Sequence, residues 1–110
     1  LSKLLGIMCY KTKEYRKAIE VLNSYTSQFD REEELLYFLA ISYKKMEEYT
    51  DSLAVSKALE RINPNYIKNL LNISDLYRLN KDFANAKYYS EKVLEKDPQN
   101  EVALKIISLV

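Results

Sequence analysis

The residues of this chain that could do chemistry are adjacent carboxylates, one thiol and an excess of tyrosine. Glu32 with Glu33, and Glu47 with Glu48, could in principle serve as general acid and base. Such a pair works only inside a pocket beside a nucleophile or a histidine, and the chain has no His. Both pairs therefore read as solvated helix ends. Cys9 is the only cysteine, which excludes an internal disulfide and a thiolate cluster, and it reads as a small buried hydrophobe rather than a reactive thiol. Asn72-Ile73-Ser74 spells a glycosylation acceptor, but Ser74 falls at a tight helix crossing, so the match reads as accidental. Ten tyrosines invite a base-stacking role, yet Tyr15, Tyr43, Tyr49 and Tyr77 are needed as core, which leaves too few for a regular array. The expectation is a chain with no catalytic residues, no cofactor and no metal, and hence not an enzyme.

The elements that would position these residues follow from composition and spacing. A single Gly and two Pro among 110 residues leave little turn punctuation, which favours helices over sheet. Seventeen basic residues against sixteen acidic give a net charge of +1, which disfavours a general nucleic-acid binder. No apolar run reaches spanning length and no signal peptide is visible, so a cytoplasmic setting is expected. A start at Leu1 and an end inside an apolar helix suggest a piece of something longer.

Apolar and small residues recur in steps of three and four along Leu36, Leu39, Ala40 and Tyr43, and again along Tyr49, Ser52, Leu53, Ser56 and Leu59, with one break near Met46 to Glu48. That pattern predicts two amphipathic helices joined by a tight turn. Similar pairs are expected over 1–12 with a partner from Tyr15, and over about 66–79 with 83–95. A seventh helix is expected over 101–110. Leu5, Gly6 and Cys9 are read as one inward face of the first helix, with Ala18, Ile19, Leu22 and Tyr25 inward on the second. Asp30 is the expected N-cap ahead of Arg31 and Glu32 to Glu34. Asn63-Pro64 and Asp97-Pro98 are expected to end helices, because proline excludes the helical conformation from the residue before it.

One register connects the pairs. Gly6, Ala40, Ser74 and Ser108 stand 34 residues apart, as do Tyr15, Tyr49 and Phe83, and Ala18, Ser52 and Ala86. The period and the motif of an aliphatic-small pair, a Tyr, a turn aromatic, a small residue and a closing Pro resemble the tetratricopeptide repeat. The resemblance covers essentially the whole chain as one domain, in repeats of about 1–32, 33–66 and 67–100 and a partial fourth or capping helix over 101–110. It implies an all-α fold, a right-handed α-solenoid of antiparallel helical hairpins. Departures are local: Ser2 replaces a large residue, Asp30 the closing proline, and Lys87 an aliphatic. Within each pair the crossing should admit only small residues, Gly6 against Ala18, Ala40 against Ser52 and Ser74 against Ala86, while Tyr43, Tyr77 and the turn aromatics fill the space between pairs.

In that family the first helices of successive hairpins line a concave face that touches the ligand. Carried over residue by residue, the partner-binding positions are Lys3, Ile7, Tyr10, Lys11, Tyr37, Phe38, Ile41, Lys44, Lys45, Lys68, Asn72, Asp75 and Arg78. Leu71, Leu79, Val102, Lys105, Ile106 and Leu109 extend the same face. The basic residues of this face outnumber its acidic ones, Glu34 and Asp75, although the whole chain is close to neutral. The implied function is a non-enzymatic protein-protein interaction scaffold. It would hold a protein or peptide with apolar anchors and acidic flanks, with no small-molecule substrate and no membrane insertion. The chaperone-tail clamp of some of these repeats is disfavoured: Lys3 and Lys68 match it, but Ile7, Phe38 and Asn72 do not. Two other readings stay open. Leu104, Ile107, Leu109 and Val110 could stack on further repeats or self-associate, and a helical repeat of this kind could bind RNA, which the near-neutral charge makes the weaker reading.

Overall fold

The computed structural model describes residues 2–26 and 32–110. The described residues form seven α-helices and no strand: α1 (Ser2–Lys11), α2 (Tyr15–Thr26), α3 (Glu33–Lys45), α4 (Tyr49–Ile62), α5 (Ile67–Leu79), α6 (Phe83–Lys96) and α7 (Glu101–Leu109). They fall into two compact units, Leu1–Asn63 and Pro64–Val110. The expected Asp30 cap and Arg31 lie outside the described residues, as do the side chains of Ser2 and Tyr25. Glu32 occupies the position before α3 and makes no side-chain cap.

Helix ends follow local chemistry. Asn63 and Asp97 leave the helical conformation, at φ −142° and −141°, each ahead of a proline that cannot accept a helical predecessor. Asp82 and Asn100 cap α6 and α7 by accepting hydrogen bonds from the backbone of Asn85 and Ala103. The three hairpin turns share a device that carries no obvious sequence signal. Lys13, Glu47 and Lys81 lie in the left-handed region at φ 65°, 59° and 63°. The next amide reaches back five residues, Glu14 to Cys9, Glu48 to Tyr43 and Asp82 to Tyr77, at 2.8 to 2.9 Å. This is the Schellman closure, in which glycine is the usual left-handed residue because it has no Cβ to strain. Here charged residues take that position three times.

In the first unit, Cys9 from α1, Ala18, Ile19 and Leu22 from α2, and Leu35 and Leu39 from α3 form one buried cluster. Leu5 departs from its expected inward position and is exposed. Asn23 Nδ2 donates to the Tyr43 hydroxyl at 2.6 Å, and Arg16 pairs with Glu48 at 3.2 Å. Both bonds link the first hairpin to the second.

The crossings are as tight as the small residues suggest, but they differ in what fills them. Ser52 Oγ on α4 donates to the Ala40 carbonyl on α3 at 2.6 Å. In the second unit the roles reverse, and Ser74 Oγ on α5 donates to the Ala86 carbonyl on α6 at 2.6 Å. Ser74 and Ser90 hydroxyls lie 2.7 Å apart. The single Ser74 proton is already committed, so Ser90 is the donor between them. At Gly6 the expected facing residue was Ala18, yet a Cβ there would come within 2.5 Å of Leu22 Cδ2. Leu22, fully buried, fills the space a side chain on Gly6 would need. Phe83, expected to fill space between pairs, is instead exposed.

Candidate partner-binding surface

Within the first unit, α1 and α3 bring several of the expected partner-binding residues together. Tyr10 and Phe38 stack with ring centroids 4.2 Å apart and planes 17° from parallel. Tyr37 lies tilted beside Phe38 at 6.3 Å, and Tyr15 meets Tyr10 edge-on at 6.2 Å. Ile7, Tyr10 and Phe38 are partly buried against the core cluster. The aromatic row thus ties α1 to α3 while each ring keeps a minor part of its surface exposed. Ile41 follows Tyr37 by one helical turn and is also half-buried.

The charged members of the expected set divide into two groups. Lys11 stands in the last turn of α1, and Lys44 and Lys45 in the last turn of α3, where the helix dipole favours cations. Lys3 is bridged to Glu32 at 3.6 Å, and this pair joins the start of α1 to the start of α3. In the second unit, Arg78 clasps Asp75 through two nitrogens at 2.7 and 2.8 Å. The charge excess read from sequence therefore overstates what a ligand meets, because Lys3 and Arg78 already have carboxylate partners.

Lys68 is exposed on α5, but Asn72 is only 4% exposed and offers no accessible surface to a partner. Its assignment as a contact residue is corrected on that ground. Ile106 is corrected likewise, since it is buried in α7. Burial of Asn72, Ile73 and Ser74 also leaves the glycosylation triplet inaccessible. The Asp75–Arg78 pair had a signal in its spacing of three along a helix. The Lys3–Glu32 bridge had none, since it depends on how two hairpins meet.

The carboxylates that sequence could nominate as acid and base are used separately. Glu33 accepts from Asn63 Nδ2 at 2.9 Å, Glu32 pairs with Lys3, and Glu48 pairs with Arg16. Cys9 is buried. Among the described residues no cluster of His, Cys, Asp and Glu could hold a metal ion, and no helix is long and apolar enough to cross a membrane.

The chain matches no protein-family model and no curated protein. Its likeness to solved structures is extensive. The second TPR domain of the human RPAP3 protein, solved in complex with the HSP70 peptide SGPTIEEVD, aligns with a TM-score of 0.89 and 21% identity over 97% of this chain and 89% of that one. The first TPR of Spaghetti (RPAP3), bound to the HSP90 peptide SRMEEVD, aligns at 0.88 and 20% identity, covering 94% and 82%. The Arabidopsis OM64 TPR domain aligns at 0.88 and 16% identity, covering 96% and 89%. At these identities what is shared is the fold. This chain has the tetratricopeptide-repeat fold, all-α and built of antiparallel helical hairpins.

Proposed function

We propose that this chain is a non-enzymatic protein-interaction module that captures a segment of a partner protein on the face shared by α1 and α3. The observation that carries this reading is the stacked Tyr10–Phe38 pair with Tyr37 beside it. It is a preformed aromatic platform, mostly buried but with part of each ring exposed, held in place by the core beneath it. Aromatic platforms supply much of the contact energy in such interfaces, and preorganisation spares the ordering cost. Lys11, Lys44 and Lys45 stand at one end of it and steer charge. The segment that fits has apolar or aromatic anchors, with an acidic flank toward the lysines. Peptide ligands in the RPAP3 domains support the general kind of ligand. A chaperone tail is a poorer fit: Lys3 is bridged to Glu32, Asn72 is buried, and Ile7 and Phe38 supply no amide.

The test is selection of a displayed random-peptide library on the immobilised chain. Enriched peptides should pair an aromatic or aliphatic residue with nearby Asp or Glu. Capture should fall on Tyr37→Ala, and on Lys44→Glu with Lys45→Glu. Enrichment indifferent to all of these substitutions would overturn the assignment of this face.

A further inference from the structure

On α3, Glu34, Tyr37, Phe38, Ile41, Lys44 and Lys45 recur at steps of three and four, and so form one stripe along the helix. Lys3, Ile7, Tyr10 and Lys11 do the same on α1, and the Tyr10–Phe38 stack joins the two stripes. Charge changes sign along the joined stripe. Glu32, Glu33 and Glu34 stand at the start of α3. Glu32 is bridged to Lys3 and Glu33 accepts from Asn63, whereas Glu34 is exposed and engaged in neither contact. The last turns of α1 and α3 carry Lys11, Lys44 and Lys45 and no carboxylate. With Lys3 counted, one end is at −2 and the other at +3. Helix dipoles alone do not impose this gradient. In the second unit, α5 has no acidic residue in its first turn, and its last-turn Arg78 is closed by Asp75.

We propose that the partner segment lies along this stripe as an extended chain parallel to α3, with a cationic residue at Glu34 and an anionic residue at Lys45. Its apolar anchors rest on the rings between. This deepens the reading of the α1–α3 face as the capture site and rests on it, adding a direction, a conformation and a second charge. Glu34 and Lys45 are eleven residues apart, about 16 Å along the axis. About five residues of extended chain span that distance. An extended chain, rather than a helix about 10 Å across, reaches rings of which only a minor part is open. A segment laid the opposite way meets like charge at both ends, so the gradient selects its direction.

The test titrates two capped peptides, KSFLSE and ESFLSE, into the isotopically labelled chain and follows its amide shifts. At low salt KSFLSE should bind about two- to five-fold more tightly, with shifts running from Glu34 to Lys45. Glu34→Lys in the chain should reverse that order, which mere loss of stability would not do, and Tyr37→Ala should weaken both peptides. Glu34 is exposed, so its variant should fold, and circular dichroism checks that it does. Equal affinities for the two peptides, or an order unchanged by Glu34→Lys, would overturn the proposal. If Tyr37→Ala still weakened both, the capture face would stand without this direction. An absence of shifts with either peptide would overturn both readings together.

Discussion

The α1–α2 hairpin and the α5–α6 hairpin meet the same steric demand by opposite means. In the first, the backbone at Gly6 leaves a gap and Leu22 fills it with hydrocarbon. In the third, Ser74 and Ser90 place hydroxyls at the crossing, and the Ala86 carbonyl takes the terminal proton of the chain. The second hairpin uses the hydroxyl solution from the other side, through Ser52. The repeat thus dictates volume at the crossing and leaves its polarity open, provided that each buried donor finds an acceptor.

The sharpest way to break this comparison is to exceed the volume. Ala40→Phe should cost about 3 kcal/mol or more and lower the midpoint of thermal unfolding by about 10 °C, with a broader transition. An unchanged calorimetric transition would mean that the crossing is not tight. Removing polarity should cost less. Ser74→Ala should lose about 1 to 2 kcal/mol, because it forfeits one bond and takes the acceptor from Ser90. Adding Ser90→Ala should then cost little more, and a double-mutant cycle in urea would show coupling between the two if the hydroxyls are joined as described.

Gly6→Ala is the counterpart in the first hairpin. Helix propensity favours Ala by about 1 kcal/mol, but the overlap with Leu22 opposes it. The expected net is a loss of about 1 kcal/mol, part of which Leu22→Val should restore. A stabilised Gly6→Ala protein would show that Leu22 yields easily. The smallest effect concerns the turns. Glu47→Gly should stabilise by about 0.5 to 1 kcal/mol by relieving left-handed strain, whereas Glu47→Ala should not. Lys13→Gly and Lys81→Gly should behave alike if the three turns are equivalent.

Helix positions were legible to within a residue or two, because the spacing of Leu36, Leu39, Ala40 and Tyr43 states which side of a helix is inward and the prolines state where helices stop. The common register was legible because Gly6, Ala40 and Ser74 are chosen by sterics alone. The turn device was not. Lys13, Glu47 and Lys81 have nothing in common with the residues that usually adopt positive φ, so their conformation is imposed by the helices on either side. The candidate site was legible as a set of positions but not as a surface. The family resemblance assigns Tyr10, Phe38 and Asn72 to a face, but it does not say that the first two stack across hairpins while the third is buried. Leu5 and Phe83 were misread for a related reason: an amphipathic pattern reports that a side is apolar, not that anything covers it.

Most of the bonds that close these hairpins join residues close along the chain, 12 apart for Ser52 with Ala40 and for Ser74 with Ala86, and 16 for Ser74 with Ser90. Little loop entropy must be lost before such contacts begin to stabilise, so each hairpin can form early and without waiting for distant segments. The chain should therefore refold in microseconds to milliseconds, from whichever turn closes first. A stretching force should release it in hairpin-sized steps, and the step least resisted would mark the hairpin with the weakest crossing.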